Sequence, residues 1–359
     1  MGCSAVWFVA MHEQPTTATL HSVQLLRAVA ATLVVLFHAQ QAFARVAVQT
    51  APSSQSYLFG FGAVGVHIFF VISGFIMVVT TKDDEKYRSK NFLKRRFLRI
   101  YPAYWICATL YVAAHFLMGA PYTLTLSQFV AALALWPTNA ASIIGPAWTL
   151  SYEMFFYLCF AAARSFGLTK GIVLLGLGFG TSIALGLALN PVDPVPHLIT
   201  NSLLLEFLLG SVVGWFYVHR RLPLRWAWWF LGAAVGLFLG GIAVGYERLP
   251  TVVVWGGPSV LLVLAVVCLE VRGGASRATR LAGRLGDSSY VLYLIHILVI
   301  ALALHFTSAV PAVRRIDPAL TAIFLACVAV VIGEALHRSL ERPLLLWLNP
   351  RRSLVPLRT

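Results

Sequence analysis

Ten runs of roughly 20 apolar residues recur along the chain, near 24–44, 58–80, 100–119, 147–164, 171–189, 200–218, 226–245, 250–270, 288–309 and 319–339. A run of that length spans the ~30 Å hydrocarbon core of a bilayer as an α-helix. No other regular structure satisfies its backbone hydrogen bonds within one lipid-exposed segment. Composition agrees: 59% of the 359 residues are hydrophobic and 11% are charged, where a soluble domain carries about 25% charge. So few charges cannot make a skin around so much apolar volume, which excludes an ordinary soluble enzyme and a disordered chain. The expected fold class is all-α, a polytopic integral membrane helix bundle of about ten transmembrane helices. A shorter apolar stretch near 124–136, after Pro121, predicts a re-entrant or interfacial helix rather than a crossing.

The formal net charge is +14. In a soluble chain this excess would suggest nucleic acid; here the basic residues alternate with apolar spans and act in topology, so no nucleic-acid partner is expected. Under the ten-helix reading one set of loops and the C-terminal tail hold 22 Lys and Arg, the other set only Arg45, Arg248, Arg314 and Arg315. An extra crossing at 124–136 would destroy that separation. The positive-inside rule then puts both termini in the cytoplasm. The organisation expected is one membrane domain over 21–345, preceded by an unassigned segment 1–20 and followed by a basic cytoplasmic tail, 346–359. Five cysteines without a CxxC pair suggest small buried apolar side chains rather than a disulfide framework.

Ionisable side chains within membrane helices are costly and point to function. His38 follows Arg27 by eleven residues, three turns, on one face of the first span. Counted at about 1.5 Å per residue from an inner start near residue 24, His38 lies about 9 Å below the outer edge of the core. Glu153, on a helix of opposite direction starting near Trp148, comes to a similar depth. A histidine that takes a proton from a hydroxyl, with a carboxylate orienting it, is acyl-transfer chemistry. The same pair also suits a buried ion pair locking two helices, or a proton relay in a transporter. His67, among Gly60, Gly62, Gly65 and Gly74, is expected to pack and hydrogen-bond at close helix contacts. His296, with Tyr290 and Tyr293 upstream, suits packing or substrate contact, and Glu206 needs a partner. The dense run Lys94, Arg95, Arg96 and Arg99 before Tyr101 and Pro102 anchors a helix and offers guanidinium forks to phosphate. No P-loop, HExxH, His/Cys cluster or GxSxG pattern is present, so neither ATP hydrolysis nor a metal is indicated.

Six segments in order carry a further resemblance: LLRAVAATLVVLFH, FGAVGVHIFFVISGFIM, FLKRRFLRIYPAYW, PAWTLSYEMFFYL, YVLYLIH and the ERP of Glu341 to Pro343. Over about 24–345 the chain resembles the membrane acyltransferase family 3, which O-acylates bacterial cell-surface and secreted carbohydrates, and within it the exopolysaccharide acetyltransferases. The resemblance implies a multi-pass enzyme of the bacterial inner membrane, in contact with membrane lipids. It implies acyl-CoA, most simply acetyl-CoA, as donor substrate, with no permanently bound cofactor. The acceptor would be a hydroxyl of a polysaccharide or of its lipid-linked precursor. By the same resemblance Arg27, Arg95, Arg96 and Arg99 hold the donor phosphates, His38 and Glu153 are catalytic, and Trp148, Tyr152, Tyr293 and His296 line the acceptor side. His38 would act as the base or form a transient acyl-histidine. Many relatives carry Asp where this chain has His67, which separates position 67 from the catalytic pair. The chain ends before the extra periplasmic esterase-like domain that other relatives carry, so transfer within one membrane unit or hand-over to polysaccharide assembly proteins is expected. The reading from another class is a transporter or flippase of a lipid-linked saccharide.

Overall fold

The computed structural model describes residues 20–47, 59–82, 87–245, 249–307 and 317–348. Every regular element among them is helical: α1 (His21–Ala47), α2 (Val64–Thr81), α3 (Ser89–Leu117), α4 (Leu126–Leu133), α5 (Trp148–Arg164), α6 (Leu168–Leu189) and α7 (Pro194–Ile199), then α8 (Leu204–Val218), α9 (Ala227–Val244), α10 (Gly257–Gly273), α11 (Arg277–Gly283), α12 (Ser289–Thr307), α13 (Pro318–Leu336) and α14 (Arg342–Leu348). Nine stretches among the described residues are long and apolar enough to cross a membrane, and each falls on an expected span. The tenth span is α5, of 17 residues, about 25 Å of helix. The chain is a multi-pass membrane protein. The segment 1–19, the last eleven residues, Lys86, Arg248, Arg314, Arg315 and the side chain of Arg45 lie outside the described residues.

α1 is the hub, packed against α2, α10, α11, α12 and α13. Small residues let helices meet. A Cβ on Gly65 would strike the Ala30 carbonyl of α1, and Cβ atoms on Gly74 and Gly210 would strike the backbones of α8 and α2 respectively. Ser211 donates across that seam to Gly74 O at 3.3 Å. Such contacts replace the hydrophobic drive that is missing between helices in lipid. α6 and α9 stand at the periphery, with Leu177, Leu187, Trp228 and Trp229 on open faces.

One end of the bundle collects the basic segments. Arg164 at the end of α5 donates to Thr81 O at the end of α2 (3.0 Å), and Ser89 at the start of α3 reaches Ala161 O (2.9 Å). Glu270 near the end of α10 accepts from His21 N (2.9 Å), Ser22 N (2.7 Å) and the Ser22 hydroxyl, capping α1 from another helix. Gln24 donates to Asp287 just before α12 (2.6 Å). The loops separated by charge in the sequence thus share one layer.

The stretch expected to be re-entrant or interfacial holds α4, eight residues long and about 12 Å in length, too short to cross. Its C-terminal end lies against α3 and α5, with Ala132 and Leu135 buried and Ala134 exposed. The carbonyls at that end each accept from a side chain: Ala132 O from Tyr104 (2.8 Å) as well as from Leu135 N (3.0 Å), Leu133 O from Trp105 Nε1 (3.0 Å), Ala134 O from Tyr101 (3.0 Å) and Leu135 O from Ser151 (2.7 Å). Tyr101 to Trp105 lie about 18–24 Å along α3 from Ser89. Leu135 closes the helix at φ +58°, a left-handed conformation that costs a branched residue about 1–2 kcal/mol. Four side-chain donors and its own burial hold it there. Non-helical backbone here is tolerated because protein, not lipid, satisfies it.

Candidate active site

The chain folds back at 120–147 before α5 begins, so α5 starts below the outer rim. This changes the expected depth of Glu153. Tyr293 of α12 places its hydroxyl 2.9 Å from the Thr149 hydroxyl and 3.3 Å from Pro146 O. From that contact α5 descends toward the basic end and reaches Glu153 four residues later. α12 rises away from that end and reaches His296 three residues later. Glu153 and His296 are therefore separated by roughly 10 Å along the helix axes. The expected common depth of His38 and Glu153 is not what the structure forms, because the start of a helix is not the start of the membrane.

Two polar groups result. In the upper one, His38 Nδ1 lies 3.0 Å from Val34 O and 3.2 Å from His296 Nε2. His296 is fully buried, and its Nδ1 lies 2.8 Å from Tyr293 O. His38 is half-buried. Its Nε2 has no hydrogen-bond partner among the described residues and is not among the buried unpaired atoms, so it faces open space. α12 is held in place by tyrosines: Tyr290 donates to Ile100 O (2.9 Å), and Tyr111 donates to Leu294 O (2.9 Å) and accepts from Leu298 N (3.0 Å). Trp148 is partly exposed and edge-on to the buried Tyr152, ring centroids 5.7 Å apart.

In the lower group, Glu153 Oε1 accepts from Ser73 (2.9 Å) and from the Tyr157 hydroxyl. Arg27 donates to Gln24 (2.8 Å) and has Arg99, Asp287, Glu341 and Glu153 as charged neighbours. Arg99 is bound to the buried Glu341 at 2.5 Å and lies over the Tyr290 ring at 5.4 Å. Arg96 reaches Thr80 (3.0 Å) and lies over Phe92 and Tyr157. Arg95 is exposed at the rim. The structure thus brings Arg27, Arg96, Arg99 and Glu153 into one neighbourhood and His38, His296 and Tyr293 into another above it. Glu341, read in the sequence only as part of a terminal motif, completes the lower group and is tied to His337 at 2.6 Å. Its signal was a carboxylate four residues after His337 at a membrane helix end rich in basic residues.

His67 pairs instead with Glu206 at 2.7 Å, the partner that Glu206 lacked in the sequence. A separate groove of about 460 Å³ lies between α3 and α4, lined by Trp105, Thr109, Phe129, Val130 and Leu133 among others. No titratable group lines it.

The family described as an acyltransferase domain matches residues 20–338. The chain is similar to the exopolysaccharide production protein ExoZ of Rhizobium meliloti, 35% identical over 82% of this chain and 93% of the relative. It is also similar to the acyltransferase MdmB of Streptomyces mycarofaciens, 26% identical over 94% of this chain and 95% of the relative. No solved structure matches the chain.

Proposed function

The chain belongs to the acyltransferase family, and from that premise we propose that this O-acyltransferase moves an acyl group, acetyl in the first instance, from acyl-CoA to a hydroxyl of a cell-surface or secreted polysaccharide or its lipid-linked precursor. The name of the exopolysaccharide relative supports the polysaccharide class. The basic end faces the cytoplasm of the bacterial inner membrane, where acyl-CoA is available. Arg95 and Arg96 at the rim, with Arg99 and Arg27 deeper, meet the donor's phosphates as guanidinium forks do. Ser73, Tyr157 and Glu153 line the way upward, and Glu153 balances the charge of Arg27. The reacting carbonyl meets the acceptor at His38, beside Trp148, Tyr152 and Tyr293.

The observation that carries this reading is the open Nε2 of a half-buried histidine directly above an arginine-rich inner cluster. During attack the acceptor hydroxyl gives its proton to His38 Nε2 and its oxygen bonds to the thioester carbonyl. As the C–S bond breaks, the imidazolium returns the proton to the departing thiolate. The products are an ester and free CoA.

Mass spectrometry of surface and secreted polysaccharide tests it in the parent strain, a strain lacking the gene, and that strain complemented with His38→Ala at matched membrane levels. Loss of the acyl substituent in both mutants is expected. An unchanged polymer in the gene-less strain overturns the acceptor class.

A further inference from the structure

The upper polar group contains a complete account of protons. His296 Nδ1 faces the Tyr293 carbonyl at 2.8 Å, an acceptor that can only receive, so Nδ1 carries the hydrogen. In the neutral ring Nε2 is then a lone pair. That lone pair lies 3.2 Å from His38 Nδ1, which also lies 3.0 Å from the Val34 carbonyl. Two acceptors thus converge on one nitrogen, and His38 must carry its hydrogen on Nδ1. Its free Nε2 is left with a lone pair facing open space.

The geometry points to His296 as the positioning residue that, together with the Val34 carbonyl, holds the ring and tautomer of His38, so that the ring nitrogen facing the acceptor is always the basic one. The inference rests on the reading of His38 as base. In hydrolase triads a carboxylate does this work, and the sequence offered Glu153 for it. Here a neutral imidazole, itself oriented by a backbone carbonyl, takes the place, and Glu153 lies roughly 10 Å below, bonded to Ser73 and Tyr157. The arrangement also accounts for the spacing of Tyr293 and His296. At i and i+3 on one helix, the tyrosine's carbonyl receives the His296 proton while its side chain ties α12 to Thr149 of α5. His296 touches no reacting atom; it acts through His38.

The experiment compares His296→Leu, which leaves His38 Nδ1 only the Val34 carbonyl of its own helix, with His296→Gln, whose amide oxygen can occupy the Nε2 position. Transfer of labelled acetyl from acetyl-CoA to polysaccharide from the gene-less strain is measured in membranes with matched protein levels. His296→Leu is expected to lower kcat about 10–100-fold, as loss of an orienting hydrogen bond does elsewhere, with both KM values within about twofold. His296→Gln should recover most of that loss. Nitrogen-15 spectra of the histidine-labelled wild-type protein in lipid, with the His38 resonances identified by their loss in His38→Gln, should show its proton on Nδ1. Unchanged kcat in His296→Leu, a Gln variant no better than Leu, or a wild-type His38 proton on Nε2 overturns the proposal. If His38→Ala itself keeps transfer, the base reading falls and this inference with it. If His38→Ala abolishes transfer while His296→Leu matches wild type, the inference alone falls.

Discussion

His67 and His38 both lie within this bundle, and their surroundings have little in common. His67 of α2 is buried against Glu206 of α8, which has no exposed surface at all. A Cβ on Gly256, ahead of α10, would overlap the Glu206 carboxyl group, so the site is shaped around that side chain. The second carboxyl oxygen is buried without a partner among the described residues. The pair is buried and joins two helices that already interlock through Gly74 and Gly210. His38 has no carboxylate bonded to it among the described residues. It leans on a backbone carbonyl and a second histidine, and one nitrogen is left open. A histidine whose polar atoms are sealed inside works as a clamp, whereas one with a fixed tautomer and a free lone pair can exchange a proton with a substrate.

The hardest test of that contrast is activity. His38→Ala should lower transfer by about 10²–10⁴-fold, the range for removing a general base, while the variant reaches the membrane and keeps wild-type stability in detergent. His67→Gln should retain transfer, because an amide still bonds to Glu206 and no reacting atom is lost. If labelled-acetyl transfer shows equal losses in the two variants, the contrast is wrong.

Stability should separate the sites in the opposite direction. Glu206→Ala strands His67 in an apolar seam, and breaking a buried pair by one partner costs about 3–5 kcal/mol. Replacing both members by apolar residues, His67→Leu with Glu206→Met, should recover most of that, since the pair's mutual attraction barely exceeds its desolvation cost. Thermal unfolding in detergent checks the cycle. A double variant as unstable as Glu206→Ala would mean the pair is more than a clamp.

Much of the bundle is legible in the sequence because the bilayer supplies the ruler. A run of about 20 apolar residues has one structural solution, so α1, α2, α6 and α9 announce themselves, and so does the shortness of the 124–136 stretch. Depth along a helix is legible only if the helix starts at the surface. α1 meets that condition. α5 does not, because α4 and its carbonyl clasps carry the chain inward first, and so Glu153 lies one group lower than counted. Neighbours are least legible. That α2 lies on α8, that His38 meets a residue 258 positions away and Arg99 one 242 away, depends on which helix faces meet, and the apolar period does not encode this. The arginines of 95–99 and the Tyr293–His296 spacing were visible as chemistry, but their partners were not.

The clasps on α4 deserve the same scrutiny as the histidines, since they decide where Glu153 stands. Tyr104→Phe removes the donor to Ala132 O, which is buried with it. Ala132 O keeps its bond from Leu135 N (3.0 Å), so one hydrogen bond is lost rather than an acceptor orphaned, a cost of about 0.5–1.5 kcal/mol. The expected result is a lower unfolding temperature and faster amide exchange at 132–135. No change would mean that the remaining three donors suffice.

The smallest expected effect concerns the first turn of α1, which carries both Arg27 and His38. That turn has no acidic residue of its own, and Glu270 of α10 supplies the acceptor for two backbone N–H groups and a hydroxyl. Glu270→Gln keeps the shape but removes the negative charge at the positive end of the helix dipole and turns one acceptor into a donor. The cost should be about 1 kcal/mol. Fraying of the first turn displaces Gln24 and then Arg27, which is held by Gln24 at 2.8 Å. It leaves His38 untouched, because sixteen helical residues separate His21 from it and Val34 and His296 hold it independently. The KM for acetyl-CoA should therefore rise by a few-fold while kcat stays within about twofold. A fall in kcat at unchanged KM would mean that α1 slides as a rigid rod. The two polar groups would then be mechanically one site rather than two.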